Sequence, residues 1–267
     1  MTDLLRIETN DLGIATVTMN RPKVHNAFNT DMIGALRACF DRLAADQRVR
    51  IVALRGAGPS FSAGGDLNYM KSTTAWSEAE NKADAARLSD MLASLNEMPK
   101  PTIAMVHGSA FGGGVGLVAC ADIAIAAAGA KFGLTEIRLG MIPAAISPFV
   151  LAAIGSRAAR RYFLTGERFD AATALQLGLI HQTVEDQAAL EAATLDIVNA
   201  LLAGGPNAMA QAKTLIAEIG DRPIDQALRH DAAHRIAGLR GGAEGQEGMT
   251  AFFDKRPAKW VRKCEKF

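Results

Sequence analysis

Two glycine-rich segments have the residue types and the spacing of a site that binds an anion. Residues 60–67 read Ser-Phe-Ser-Ala-Gly-Gly-Asp-Leu, and Gly112, Gly113 and Gly114 are consecutive. Each segment follows an apolar run typical of a strand and precedes a predicted helix, whose first N–H groups have no partner within the helix. Two such turns could direct two N–H donors at one oxygen and so form an oxyanion hole for a thioester carbonyl. The alternative is structural, because glycines also permit close packing of a helix on a strand.

A third segment, residues 132–143, places Glu136 between apolar residues. A carboxylate in such surroundings is partly desolvated, and burial raises its pKa toward values useful in general acid and base catalysis. The alternative is an exposed Glu136 at the start of a helix, paired with Arg138. The glycine segments lack both the GxGxxG pattern of dinucleotide sites and the GK[ST] of phosphate-binding loops, so neither kind of nucleotide site is indicated.

The elements that must position these residues alternate between strands and helices. Residues 5–9 and 14–19 flank a turn and predict an antiparallel hairpin. Later apolar runs predict strands covered on both faces, and the helical stretches between them favour an α/β core with parallel strands. The predicted strands are 49–54, 102–106 and 122–127, and the predicted helices between them include 33–43 and 78–96.

After residue 156 the pattern predicts only helices. These helices are rich in alanine and have little core of their own, so we expect them to pack on a neighbouring copy of the chain. They span residues 157–164, 171–177, 186–202, 207–219, 224–239 and 245–253.

The composition excludes several classes of protein. The chain has 267 residues, and its formal net charge of +1 leaves no field to hold a nucleic acid. The three cysteines are widely spaced and lack CxxC, so neither a disulfide framework nor a zinc site is indicated. No stretch resembles a signal peptide or a membrane span. We therefore expect a cytoplasmic protein without membrane or nucleic-acid partners.

Six motifs, in order along the chain, resemble the enoyl-CoA hydratase/isomerase (crotonase) family. Each motif alone is weakly specific, but their order and spacing together are strong evidence. The motifs are Arg21-Pro22 with His25-Asn26-Ala27, residues 61–67, the glycines at 112–114, Glu136 with Leu139-Gly140 and Ile142-Pro143, Leu164-Thr165-Gly166, and Ala174 with Gly178-Leu179.

The resemblance implies a fold and an assembly. The fold is α/β, a crotonase-like spiral of ββα units with an all-helical C-terminal oligomerisation region. Residues 1–200 would form the spiral core. Residues 201–267 would form the helical region that builds a homotrimer or a dimer of trimers.

The resemblance also implies roles for particular residues. The N–H groups of Gly65 and Gly113 would form the oxyanion hole, and Glu136 matches one of the two carboxylates that, in hydratases, manage a water molecule and a proton at Cβ and Cα. CoA is part of the acyl-CoA substrate, so no separate cofactor and no metal is expected. Asp66 has a second interpretation as a helix cap, and Lys255 or Lys259 would meet the CoA phosphates. The residues expected to bind substrate are Ala63, Gly64, Asp66, Lys23, Val24, Gly112, Gly116, Lys255 and Lys259.

One position departs from the family pattern. Hydratases with two glutamates carry the first of them two residues after the glycine triplet, and that position is Gly116 here. Four segments are similar to bacterial methylglutaconyl-CoA hydratases of leucine degradation, whose substrate carries a second carboxylate. They are residues 112–120, 142–150, 157–165 and 244–248. We therefore expect reversible hydration of a branched 2-enoyl-CoA, 3-methylglutaconyl-CoA to 3-hydroxy-3-methylglutaryl-CoA, with the substrate carboxylate orienting water where Gly116 leaves room.

Four other functions stay open at this point. One is hydration of isohexenylglutaconyl-CoA in terpene degradation, and another is double-bond isomerisation with Glu136 as a single proton shuttle. A third is dehydration of a 3-hydroxy-3-methylglutaryl thioester on an acyl carrier protein. The last is a non-catalytic acyl-CoA-binding protein that has lost one carboxylate.

Overall fold

The computed structural model describes residues 4–220 and 222–266. Its strands are β1 Leu5–Thr9, β2 Ile14–Met19, β3 Ile51–Gly56, β4 Thr102–Val106, β5 Ser109–Phe111, β6 Ile123–Ala127, β7 Lys131–Gly133, β8 Arg168–Asp170 and β9 Gln182–Val184. Six strands form one sheet in the order β1-β2-β3-β4-β6-β9, and three short strands form a second sheet in the order β5-β7-β8. All neighbouring strands are parallel except the pairs β1·β2 and β7·β8.

Ten α-helices connect and cover these sheets in the described part of the chain. Helix α5 is interrupted at Gly155, whose φ of 71° is not helical. The helices are α1 Thr30–Ala45, α2 Leu67–Ser72, α3 Glu78–Asn96, α4 Gly113–Cys120, α5 Ser147–Thr165, α6 Ala171–Gln176, α7 Gln187–Ala203, α8 Pro206–Ile219, α9 Gln226–Gly241 and α10 Ala243–Phe253.

The large sheet is buried on both faces, as its continuous apolar strands predict. Because successive side chains of a strand point to opposite faces, Val52 and Leu54 pack into the larger core with α1, α3, α4 and α5. Ile51 and Ala53 pack into a smaller core with α7. Cys264, near the end of the chain, is buried in that smaller core as well. The core is therefore two layers of helices with the sheet between them.

The chain repeats one arrangement, in which a long strand is followed by a short extended segment and then a helix. β4 leads to β5 and α4, and β6 leads to β7. After β3, the short segment is marked by Ser62, which forms a parallel bridge with Ala110 of β5. This is the predicted spiral of ββα units. Because the short segments lie side by side, the residues that follow them are brought together at one edge.

The short strands are where the sequence prediction was incomplete. β5 and β7 were not predicted, and β8 and β9 lie in the region that was expected to be entirely helical. Each of these four strands has only three residues. A segment of that length shows no local periodicity, so its pairing with a neighbour alone makes it a strand.

The last three helices bury few of their own residues. α8 has no buried side chain, and α9 and α10 bury only Leu228 and Ala251 respectively. Lys213 of α8 holds the helix to the sheet, with its Nζ 2.7 Å from the carboxylate of Asp122. The boundary predicted after residue 200 falls in the last turn of α7.

No single helix of the described residues is long and apolar enough to cross a membrane. By length and composition alone, α7 and α8 meet that requirement only as a pair, and this pair is bent by 103°.

Candidate active site

The turn before α2 leaves the N–H group of Gly65 without a partner in the described chain. Gly65 forms a parallel bridge with Phe28, in which Phe28 N–H donates to Gly64 O (2.6 Å) and Asp66 N–H donates to Phe28 O (2.9 Å). In such a bridge the N–H of the central residue points to the opposite side. Gly65 is exposed at this point, so its N–H is available to a ligand.

The second free donor is at the start of α4. Gly112 N–H donates to Gly133 O (2.9 Å), and the helix begins at the next residue. The N–H of Gly113 therefore belongs to the first helical turn and has no acceptor within the helix. A Cβ built on Gly113 would lie 2.7 Å from the ring of Phe28, so only glycine fits at this position. The glycine at 113 therefore serves both predicted roles, since it permits close packing and also leaves a free N–H group.

Gly65, Gly113 and Glu136 line one cleft of about 460 Å³. Glu136 begins a short 3-10 helix that ends at Leu139. Its Oε1 lies against Gly112, because a Cβ built on that glycine would be only 2.9 Å away. Its Oε2 is buried and has no hydrogen-bond partner among the described residues. Burial raises the pKa of Glu136, although a bond from its own backbone N–H partly opposes this effect. The expected alternative, an ion pair with Arg138, is not formed.

Asn26 fixes the loop that carries the first glycine turn. It is fully buried with a φ of 55°, and its Nδ2 donates to three carbonyl groups, those of Ala57, Ser60 and Phe61. The hydroxyl of Ser62 then donates to Asn26 O (3.0 Å). These bonds join two segments more than thirty residues apart and hold the Gly65 turn rigid.

Asp66 has a structural role in this chain. It caps α2 by accepting the N–H groups of Asn68 and Tyr69, and its Oδ2 is 2.8 Å from Arg21. Burial alone would raise the pKa of Asp66, but the two backbone bonds and Arg21 outweigh burial and lower it. The Arg21 guanidinium also donates to Ala27 O (2.7 Å). The carboxylate does not line the cleft. Of the two predicted roles of Asp66, substrate binding and helix capping, the structure supports the helix cap.

The structure brings some of the other predicted residues to the cleft. Ala63, Gly64 and Gly112 line it. Lys23 and Val24 lie in an exposed 3-10 turn and do not line it, but the next residue, His25, accepts a bond from Ala63 N–H (2.9 Å). This turn therefore borders the cleft, where it was expected to lie along the CoA path.

Lys255 and Lys259 are not brought to the cleft of the same chain. Both follow α10 and are exposed, and Lys259 Nζ is 3.7 Å from Glu247. The neighbouring Trp260 donates to Ala203 O at the end of α7. Within one chain, the structure does not support the prediction that these lysines meet the CoA phosphates.

Gly116 requires a correction. It is buried in α4 and does not line the cleft. A Cβ built on it would lie 2.9 Å from Cγ2 of Ile146 and 3.1 Å from Cδ1 of Leu92. The expectation that Gly116 leaves room for water or for a substrate carboxylate was therefore wrong, because apolar side chains fill that space.

Sequence reasoning missed the polar residues on the other wall of the cleft. Tyr69, Asn81 and Asp84 line it, and the hydroxyl of Tyr69 donates to Asp84. Asn81, Asp84, Ala85 and Leu88 all lie on one face of α3 because they are three or four residues apart. This spacing was the one signal in the sequence that could have placed them together.

The fold and the site together define a protein class. A spiral α/β fold, in which two free glycine N–H groups and a buried carboxylate face one cleft, is the crotonase fold with an acyl-thioester site. The chain belongs to the enoyl-CoA hydratase/isomerase family, whose model matches residues 9–263. Membership implies an acyl-CoA substrate.

Solved structures and curated relatives agree with this assignment. A crystal structure of an enoyl-CoA hydratase from Shewanella pealeana is 43% identical, covers 96% of each chain and has a TM-score of 0.93. Pseudomonas aeruginosa AtuE is 39% identical with a TM-score of 0.93, over 97% of this chain and 100% of that one. The crotonyl-CoA hydratase of Syntrophomonas wolfei is 32% identical over 253 residues, 94% of this chain and 95% of the relative.

Proposed function

We propose that the chain reversibly adds water to the double bond of a branched 2-enoyl-CoA, with Glu136 as the only acid and base. The observation that carries the proposal is the position of Glu136, whose side chain lines the same cleft as Gly65 and Gly113. Its Oε2 is buried there without a hydrogen-bond partner among the described residues. Hydratase names among the relatives support the choice of reaction.

In the proposed reaction, Glu136 acts first as a base and then as an acid. The Glu136 carboxylate accepts a proton from water as the water oxygen bonds to Cβ. The electrons of the double bond move toward the thioester and form an enolate. The N–H groups of Gly65 and Gly113 stabilise the negative oxygen, and one such donor contributes about 3–4 kcal/mol to transition-state stabilisation. The carboxyl of Glu136 then returns its proton to Cα, so the product gains one water.

Isomerisation is the second candidate, and one observation favours it. The position of a second carboxylate is Gly116, and Ile146 and Leu92 enclose it. A single carboxylate is sufficient to take a proton from Cα of a 3-enoyl thioester and to return it to Cγ. This reaction passes through the same stabilised enolate and adds no water.

The acyl group predicted from the sequence, 3-methylglutaconyl, stays a prediction. The isohexenylglutaconyl thioester, which the sequence also leaves open, stays in the comparison. Both acyl groups end in a carboxylate, and no lysine, arginine or histidine lines the cleft in the described residues. A branched acyl group without a free carboxylate therefore fits this cleft better.

Product mass separates the candidates. The purified chain is incubated with crotonyl-CoA, 3-methylbut-2-enoyl-CoA, 3-methylglutaconyl-CoA, isohexenylglutaconyl-CoA and a 3-enoyl-CoA. Hydration adds the mass of one water, and isomerisation leaves the mass unchanged while the absorbance of the conjugated thioester appears. Stabilisation by CoA esters without turnover of any of them would contradict both reactions and indicate a binding protein.

We also propose that the helices after residue 200 build a homotrimer or a dimer of trimers. Ile216, Ile236, Phe252 and Phe253 on α8, α9 and α10 are large apolar side chains left exposed in one chain. Large apolar side chains exposed on helices that bury few of their own residues are expected at an interface between copies of the chain. Light scattering gives the mass of the assembly.

A further inference from the structure

The wall of the cleft made by α2 and α3 carries a charged hydrogen-bond acceptor. Asp84 is held there by two donors, the hydroxyl of Tyr69 and the guanidinium of Arg87 at 2.9 Å. Both donors bond the same oxygen, Oδ1, and no donor from the described part of the chain reaches Oδ2, so this second oxygen is left for a ligand. Arg87 does not line the cleft, and it supports Asp84 from the solvent side.

The neighbouring polar groups on this wall offer no free donor to an anion. The hydroxyl proton of Tyr69 is given to Asp84, and burial and that bond raise the pKa of the phenol, so it stays neutral. The Nδ2 of Asn81 donates to Trp76 O (3.2 Å) and Ser77 O (3.1 Å), which leaves its Oδ1 free. The wall therefore presents two acceptors, Asp84 Oδ2 and Asn81 Oδ1.

The position of these acceptors along α3 gives the depth at which they act. Leu88 is beside the proposed oxyanion hole, because a Cβ built on Gly113 would lie 3.7 Å from Cδ1 of Leu88. Asp84 is four residues before Leu88 and Asn81 is seven before it, which are rises of about 6 Å and about 10 Å along the helix axis. Asp84 and Asn81 therefore line the cleft farther from the proposed oxyanion hole than Leu88 does.

We propose that the cleft selects an acyl chain that bears a hydroxyl group about 6–10 Å beyond the thioester carbonyl, with Asp84 as the specificity-determining residue and Tyr69 as its positioning residue. This inference rests on the proposed enoyl-CoA reaction. A hydroxyl supplies the donor that Asp84 and Asn81 lack. A terminal carboxylate at the same place meets a like charge and no lining cation.

The test uses enoyl-CoA substrates of equal length that end in a methyl, a hydroxymethyl or a carboxylate group. kcat/KM is measured for the wild-type chain, Asp84→Asn, Tyr69→Phe and the control Asp90→Asn, an exposed carboxylate on the same helix outside the cleft. The wild-type chain should prefer the hydroxyl substrate. Asp84→Asn should lower the ratio of hydroxyl to carboxylate turnover by about tenfold or more, since a hydrogen bond to a charged group is lost and a repulsion is relieved. Tyr69→Phe should lower it less, and Asp90→Asn should leave it unchanged.

Binding of the saturated thioesters, which cannot react, separates this inference from the proposed reaction. If no enoyl substrate is turned over but the saturated hydroxyl thioester still binds most tightly in an Asp84-dependent way, the reaction is wrong and the specificity holds. Equal binding of the methyl and hydroxyl forms by the wild-type chain overturns the inference. A ranking that Asp84→Asn leaves unchanged also overturns it.

Discussion

Gly116 provides a direct test of the proposal that this chain works with one carboxylate. A Cβ at Gly116 would lie 2.9 Å from Ile146 and 3.1 Å from Leu92, and both side chains are buried. Such overpacking costs about 1–3 kcal/mol, while replacing a helical glycine by alanine gains about 1 kcal/mol. Gly116→Ala should therefore lower the free energy of unfolding by about 1 kcal/mol.

Gly34 supplies the matched control. It also lies inside a helix, α1, but nothing is within 4 Å of a Cβ built on it. Gly34→Ala should therefore raise the free energy of unfolding by up to about 1 kcal/mol. Both variants are compared by urea unfolding at one protein concentration, because association of copies adds to apparent stability.

Gly116→Glu extends the test to function. Its carboxylate would be enclosed by Ile146 and Leu92 without a hydrogen-bond partner, at a cost of about 3 kcal/mol or more. We expect a destabilised chain with no gain in hydration. The reasoning is refuted if Gly116→Ala stabilises as much as Gly34→Ala, or if Gly116→Glu is stable and hydrates faster than the wild-type chain.

Four further predictions concern Glu136 and the loop that holds Gly65. Burial raises the pKa of Glu136, and the ionised carboxylate is the form that accepts the proton in the proposed reaction. On acidification, kcat/KM should therefore begin to fall at a pH above the ordinary pKa of a glutamate. A pH–rate profile that falls only around the ordinary pKa of a glutamate contradicts this prediction. Between the pKa of Glu136 in the unfolded chain and its raised pKa in the folded chain, only the folded chain keeps Glu136 protonated. The free energy of unfolding should therefore decrease as pH rises through that interval. Urea unfolding of Glu136→Gln should show no such decrease. Asp66→Ala removes the cap and the partner of Arg21, so it should lower the free energy of unfolding by about 2 kcal/mol. Asn26→Ala leaves three carbonyl groups without their donor, so it should lower the free energy of unfolding by about 3 kcal/mol. Unchanged urea midpoints would count against both predictions.

The sequence predicts those elements whose local pattern is strong. The hairpin of β1 and β2, the strand β4 and the long helix α3 have the predicted bounds. The three-residue strands were missed because pairing with a distant neighbour defines them, and a short segment carries no periodicity. The local sequence pattern could therefore predict the α/β class but not the second sheet.

The candidate site divides in the same way. The glycine turns and Glu136 were found from residue types and motif order, since the chemistry requires small residues and a carboxylate. The ion pair of Arg21 with Asp66 joins residues 45 apart, and the side chains around Gly116 come from α3 and from the segment before α5. Such contacts depend on packing, which no local pattern encodes. The sequence therefore indicates open space beside Gly116, whereas in the structure the side chains of other residues pack against it.

In the proposed reaction, Glu136 alone moves the proton while the N–H groups of Gly65 and Gly113 hold the thioester oxygen. The most direct measurement is turnover in deuterium oxide of the best substrate in the product-mass panel, followed by mass spectrometry, for the wild-type chain and Glu136→Gln. We expect the wild-type product to carry solvent deuterium, and the glutamine variant to lose at least about a hundredfold in rate while it binds the saturated thioester as before. Full turnover and labelling by Glu136→Gln would contradict the account.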